Sequence, residues 1–203
     1  NCKLDGYIVP KNDEFFGEYI PENKDRLKFI SNFSGSYGFA LILKKKNYLF
    51  VDGRYTLQAN IQSGNYFKIV TIPNKYPSEI IKKGNLNIGF DPKLHTQKNL
   101  KTFFNKTNCN FVPISQNLID EIWNRSENNK LKKFYTLPRK AVGLGYKSKI
   151  SKLVSILNKK KADFQFISSS ENIAWLLNIR GQDSAFTPMP NSYLTIGKNK
   201  KIN

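Results

Sequence analysis

A side chain can move a proton, attack a carbonyl or hold a metal only when the right partners stand beside it, and this sequence is sparing with such partners. It has one histidine, His95, and two cysteines, Cys2 and Cys109. A hydrolytic metal centre takes three or more protein ligands and keeps a position open. No carboxylate–histidine cluster accompanies His95, so it reads as a surface residue just before a helix rather than as a ligand. The cysteines lie far apart without zinc-site spacing and read as free thiols in a reducing compartment. The remaining chemistry gathers at Arg54, in the stretch Tyr48-Leu49-Phe50-Val51-Asp52-Gly53-Arg54-Tyr55. A guanidinium is always charged and offers a planar fork of donors suited to a carbonyl or carboxylate. Two readings of the stretch stand side by side: a ligand-facing Arg54, or an Asp-Gly turn followed by a solvated arginine.

The elements that must position Arg54 decide where it can point. Tyr48 to Val51 is a continuous apolar run of strand length, which fits a strand covered on both faces. Asp52 and Gly53 end it, since Asp accepts turn geometry and Gly accepts close approach. Arg54 then falls at the carboxyl end of a strand, the edge where ligands gather in open α/β sheets. A helix follows through Leu57 and Ile61 and stops near Gly64.

Around this unit the elements alternate. Tyr7 to Val9 is a short strand, followed by a polar loop from Lys11 to Pro21. Asp25 can cap a helix carrying Leu27, Ile30 and Phe33. Phe39 to Leu43 and Tyr48 to Val51 form a hairpin across Lys44-Lys45-Lys46-Asn47. Phe67 to Ile72, Asn87 to Phe90 and Phe111-Val112 are further strands. Helices are expected after Thr96, with Leu100, Phe103 and Phe104, and around Leu118, Ile119, Ile122 and Trp123. Hairpin strands followed by β-α units give an α/β fold, a mixed sheet flanked by helices.

From residue 124 to about 146 the apolar periodicity lapses, which marks a linker between a domain at 1–123 and a second one at 147–203. Ile150, Leu153, Val154 and Leu157 then mark an amphipathic helix. Phe164 to Ile167 is a strand. Ser168 and Glu171 have capping-box spacing before a helix expected to end near Gly181. Ser192 to Ile196 enters a turn at Gly197 without a returning partner, so this second domain, of similar type, is expected to be cut short.

Composition sets outer limits. The 203 residues are 39% hydrophobic and 13% aromatic, enough for a real core. No stretch approaches the ~20 apolar residues of a membrane span, and no cationic-then-apolar leader opens the chain. The expectation is a soluble cytoplasmic protein without a membrane partner. The net charge of +18, from 33 Lys and Arg against 15 Asp and Glu, would attract polyanions. Yet the lysines fall in short runs at Lys44 to Lys46, Lys82-Lys83, Lys132-Lys133 and Lys159 to Lys161, at turns and helix ends. They read as solvated faces, and the high Lys, Asn and Ile content fits AT-rich codon usage. The charge therefore does not argue for a nucleic-acid partner.

Several ordered blocks resemble one family. Asp5-Gly6-Tyr7-Ile8-Val9-Pro10, Glu18-Tyr19-Ile20-Pro21, Phe33-Ser34-Gly35-Ser36, Asp52-Gly53-Arg54-Tyr55 and Asn117-Leu118-Ile119-Asp120-Glu121-Ile122-Trp123 are similar to the amino-terminal domain of the three-domain Xaa-Pro aminopeptidases, members of the creatinase/prolidase family. Glu171 to Gly181 resembles their second domain. The resemblance implies a creatinase N-terminal, ribonuclease H-like fold. It implies the non-catalytic N-terminal region of a metallopeptidase that removes a residue preceding proline, in a homodimer. A third, catalytic domain of the same polypeptide would hold two divalent metals, usually manganese, on two Asp, one His and two Glu that this sequence does not match; no cofactor is expected in the chain itself.

By the same resemblance Arg54 contacts substrate, a peptide with proline at its second position, and Asp52 and Tyr55 support it. Arg180, Gly181 and Asp183 resemble a Leu-Arg-Gly-Ser-Asp loop facing the catalytic domain, with Ile179 and Gln182 departing from it. An ordinary helix C-terminus with Gly and a cationic last turn explains Arg180 equally well. Catalytically dead relatives leave a second function open, a stand-alone peptide- or protein-binding module on the same fold.

Overall fold

The computed structural model describes residues 3–81, 84–105, 107–125 and 133–203. Cys2, Lys82-Lys83 and Lys132 lie outside the described residues, as does the middle of the expected linker. The chain separates into two compact units, residues 1–14 with 22–126, and residues 15–21 with 127–203.

The first unit is built on a six-stranded sheet. In chain order its elements are β1 (Gly6–Pro10), α1 (Arg26–Ser31), β2 (Gly38–Leu43), β3 (Asn47–Asp52), α2 (Thr56–Ser63), β4 (Lys68–Ile72), α3 (Pro77–Ile80), β5 (Asn87–Phe90), α4 (Gln97–Phe103), β6 (Asn110–Pro113) and α5 (Leu118–Ile122). The strand order is β4-β3-β2-β1-β5-β6. β2 runs antiparallel to both neighbours, while the β3–β4, β1–β5 and β5–β6 pairs are parallel. The carboxyl ends of β1, β3, β4, β5 and β6 consequently share one edge of the sheet.

Period-2 side-chain alternation divides the core into two layers. Val9, Ala40, Leu49 and Val51 pack with Leu27, Phe33, Ala59 and Ile119 on one face. Ile8, Phe39, Leu41 and Phe50 pack with Ile81, Leu100 and Phe104 on the other. Both faces of β3 are thus covered, as its unbroken apolar run requires. The Asp25 carboxylate accepts from the Lys28 backbone N–H at 3.1 Å and starts α1, and Asn32 in the left-handed region stops it.

Loop and helices of this unit are tied by a charge network that local spacing does not reveal. Arg26 is 3% exposed and donates to both Asp120 oxygens, from Nε at 2.7 Å and Nη2 at 2.8 Å, and to Glu14 at 2.9 Å. Lys24 also reaches Glu14, at 2.8 Å. Burial raises the Glu14 pKa, but the Lys24 hydrogen bond, its own backbone and the Arg26 charge outweigh that and bring it to about 2.

In the second unit the described elements are β7 (Tyr135–Thr136), α6 (Arg139–Val142), α7 (Tyr146–Lys160), β8 (Phe164–Ile167), α8 (Ser170–Leu177), β9 (Ile179–Arg180) and β10 (Leu194–Gly197). β8 pairs with β10 and β7 with β9, both antiparallel. Ile150, Val154, Ile173, Leu176, Leu194 and Ile196 make its core. Residues 15–21 belong to this unit, where Phe15 meets Tyr193 at a ring-centroid distance of 5.1 Å and Tyr19 meets Phe186 at 5.0 Å.

Three expectations for this unit need correction. The cap of α8 is Ser169, which accepts from the Asn172 N–H at 3.4 Å, one residue beyond the expected Ser168. The helix ends at Asn178, in the left-handed region, before reaching Gly181. Finally, β10 does have a returning partner: Ile196 bridges Ile202, and the Thr195 and Asn203 backbones exchange hydrogen bonds at 2.9 and 3.0 Å.

Candidate functional site

Arg54 emerges from the carboxyl edge of the first unit's sheet in a short 3-10 turn, Gly53–Tyr55, between β3 and α2. Asp52 builds that turn. Its Oδ1 accepts the Arg54 backbone N–H at 2.9 Å, so one carboxylate caps the turn and also faces the guanidinium. Arg54 Nε donates to Oδ1 and Oδ2 at 3.2 and 3.1 Å, and Nη2 donates to Oδ2 at 2.6 Å. Nη1 makes no hydrogen bond among the described residues, and the Arg54 side chain is 71% exposed. The hydrogen bonds from Arg54 hold the Asp52 carboxyl below its ordinary pKa.

Tyr55 backs this pair. The Arg54 Cζ lies 5.2 Å from the Tyr55 ring centroid, within cation–π range. The Tyr55 hydroxyl stands 2.7 Å from Ser36 Oγ, a contact that lowers its pKa. Gly35 makes room for this approach. A Cβ there would fall 2.2 Å from the Phe33 ring and 2.9 Å from the Tyr55 ring, so a side chain would displace the tyrosine. Ser36 is the partner that sequence reasoning passed over; it stood in the Phe33-Ser34-Gly35-Ser36 block, but nothing in the spacing shows a loop folding onto residue 55.

The arrangement presents to solvent a cation whose Nη1 is unbonded among the described residues. It can bind a carbonyl or a carboxylate.

His95 corrects the surface reading. Its Nε2 is buried without a hydrogen-bond partner among the described residues, and the ring meets Phe90 edge-on at 5.8 Å. Burial pulls its pKa down to about 4, against the raising effects of a hydrogen bond with the Ile8 backbone and of Asp91. The imidazole meets Phe90 and shares a small cavity with Leu100, Phe103 and Phe104, surroundings that admit it because a neutral imidazole is largely apolar in body. Among the described residues no three His, Cys, Asp or Glu side chains come together as a metal group, so the residues present do not fit a dimetal centre. Cys109 is a partly buried free thiol.

Arg180 and Asp183 serve local structure in the second unit. Arg180 Nη1 donates to the carbonyls of Ile179 at 2.8 Å and Ala174 at 3.4 Å. Asp183 Oδ2 accepts the Asn191 N–H at 2.8 Å. Gly181 lets Pro190 approach, since a Cβ would lie 2.6 Å from the Pro190 Cα.

The profile described as Creatinase/Prolidase N-terminal domain matches residues 2–122, and a second profile of the same description matches residues 124–203. The chain belongs to this family. It is 33% identical to the Xaa-Pro aminopeptidase ApepP of Drosophila melanogaster over 97% of its length, covering 34% of that protein. It is 34% identical to a probable Xaa-Pro aminopeptidase P of Aspergillus oryzae over 96% of its length, covering 31% of that protein. The crystal structure of an X-prolyl aminopeptidase from Caenorhabditis elegans, described as a cytosolic enzyme with a di-nuclear active site, superposes with a TM-score of 0.86 at 29% identity. The match covers 98% of this chain and 34% of that one. This creatinase/prolidase N-terminal chain therefore spans about a third of the relatives it matches, and its mixed sheet with flanking helices is the fold of that family.

Proposed function

We propose that the chain is the non-catalytic N-terminal region of an Xaa-Pro aminopeptidase and that Arg54 grips the peptide beyond the proline. The observation that carries this is the exposed guanidinium at the sheet's carboxyl edge, steered by Asp52 and backed by Tyr55, with Nη1 unbonded among the described residues. An X-Pro bond is a tertiary amide without an N–H, so its cleavage falls to a centre that polarises the carbonyl and supplies hydroxide. Two divalent metals, manganese by family resemblance, would do this on residues outside this chain. Arg54 contributes position instead, since a charged fork can hold a downstream carbonyl or the terminal carboxylate. Asp52 restrains the arginine so that fewer rotamers are lost on binding. Arg180 and Asp183 are proposed to order the loop that faces the catalytic domain. The cytoplasmic location and the homodimer rest on family resemblance.

Full-length enzyme carrying Arg54→Ala tests the central claim. A lost charge-assisted hydrogen bond of about 1.5–3 kcal/mol lowers kcat/KM for tripeptides and longer substrates roughly ten- to a hundredfold. Stability and metal content stay unchanged, and Arg54→Lys restores only part of the activity because an ammonium keeps charge without the fork. Unaltered kinetics per folded molecule would remove Arg54 from the site.

A further inference from the structure

The helix that follows Arg54 is inside out. An amphipathic helix on a sheet ordinarily turns its large aliphatic residues inward. In α2 the buried positions are Ala59 and Ser63, whereas Leu57 is 74% exposed and Ile61 is 78% exposed. Ser63 is committed to the interior, its hydroxyl donating to the Ser31 carbonyl at 2.6 Å. The small inward residues let α2 lie close on β3 and β4, so the outward placement of the aliphatics is not a packing slip that a rotation could mend.

Leu57 and Ile61 stand at i and i+4 of α2 and so share one helical face, about 6 Å apart along the axis, while Arg54 sits in the 3-10 turn that leads into the helix. An arginine with two aliphatics is the composition of an interface rather than of a solvated surface. The face is convex, unlike the concave pockets that hold small ligands. It is also short. A stable association between separate molecules buries about 800 Å² per partner, well beyond what two side chains and an arginine offer. A tethered partner needs much less, because the connecting chain raises its effective concentration.

We infer that the outward face of α2 is the docking face through which this region seats on the remainder of its own full-length polypeptide, on a surface with an apolar depression for Leu57 and Ile61. This rests on the reading above, that the chain is the N-terminal third of a longer protein. It goes further by assigning Leu57 and Ile61 a partner and by placing Arg54 at the rim of that contact.

Thiol labelling tests it. Leu57→Cys, Ile61→Cys and, as a control on exposed α4, Lys101→Cys are made with Cys2 and Cys109 changed to Ser, both in the 203-residue chain and in the full-length protein. Residues 57 and 61 should label about tenfold more slowly in the full-length protein, as for a face left undocked at most a tenth of the time; residue 101 should label alike in both. Protection that grows with protein concentration would give the face to a second copy, and protection that appears only with an Xaa-Pro peptide would give it to substrate. Either outcome, or equal labelling throughout, overturns the inference. Xaa-Pro peptide hydrolysis by unmodified full-length protein is measured in parallel: its absence would count against the aminopeptidase reading, whatever the labelling shows.

Discussion

His95 shows how one residue can be misjudged from its neighbours in sequence and then make a measurable difference. Charged and polar residues stand near it in sequence at Lys93 and Thr96, yet the fold buries its Nε2 where no partner among the described residues meets it. Its folded pKa of about 4 lies below the ordinary histidine value of 6.5, so the unfolded chain takes up a proton that the folded one refuses. The stability it contributes is complete above about pH 6.5 and is lost as pH falls toward 4. At 1.36 kcal/mol per pKa unit the loss is about 3 kcal/mol. Urea unfolding of the chain and of His95→Gln should give free energies whose difference shifts by that amount between pH 7 and pH 4. Glu14 does not confuse the result, because its depressed pKa of about 2 puts much of its titration at lower pH and it is common to both proteins. A difference that stays flat across the range would mean that His95 reaches solvent. Arg54, by contrast, was legible, because an apolar run ending in Asp-Gly fixes where the next side chain emerges. That Asp52 supports the guanidinium was read from the family resemblance alone; spacing could not show it, since residues two apart in a turn have no fixed mutual orientation.

At the level of elements, legibility followed locality. The strands of the first unit and the Asp25 cap depend on short-range patterns, and they stand where those patterns put them. The end of α8 depends on which residue can enter the left-handed region, and two candidates competed. Gly181 looked like the stop, but its small size serves the close approach of Pro190, and Asn178 ends the helix at φ 57°. Asn178 also satisfies a buried cation. Its Oδ1 accepts from Lys149 Nζ at 2.6 Å, its Nδ2 donates to the Leu144 carbonyl at 3.1 Å, and Lys149 is 6% exposed. Replacing it separates the two duties. Asn178→Gly keeps the left-handed turn and loses the side-chain bonds, costing about 1.5–3 kcal/mol for the charged hydrogen bond. Asn178→Ala adds roughly 1–2 kcal/mol for a Cβ in that conformation. Thermal melts should rank the native chain above Asn178→Gly and that above Asn178→Ala; equal melting of the two variants would mean that the turn relaxes without strain. α3 escaped notice for a related reason, its four residues being too few to show a period, with Glu79 reaching back to the Tyr76 N–H at 2.7 Å to start it.

For the whole molecule the deciding quantity is how many groups can converge on a reacting atom. The blocks that signalled the family run from Asp5 to Gly181, so membership was legible along most of the chain. The assignment of residues 15–21 to the second unit was not, because it depends on contacts such as Phe15 with Tyr193 that join distant parts of the sequence. Hydrolysis of an X-Pro bond through two metals asks for several carboxylates and an imidazole around one point. Several of the described carboxylates are spent elsewhere: Glu14 and Asp120 on Arg26, Asp25 on Lys11 and the start of α1, Asp52 on Arg54, Asp183 on the Asn191 backbone. Drawing them into a metal site would strip a buried arginine of its partners, at a cost of several kcal/mol. The 203-residue chain should therefore show no hydrolysis of an Xaa-Pro peptide, with or without added manganese. Turnover that rises with manganese, co-elutes with the chain and disappears in His95→Ala would establish a metal centre in this chain and reverse the assignment of catalysis to residues outside it.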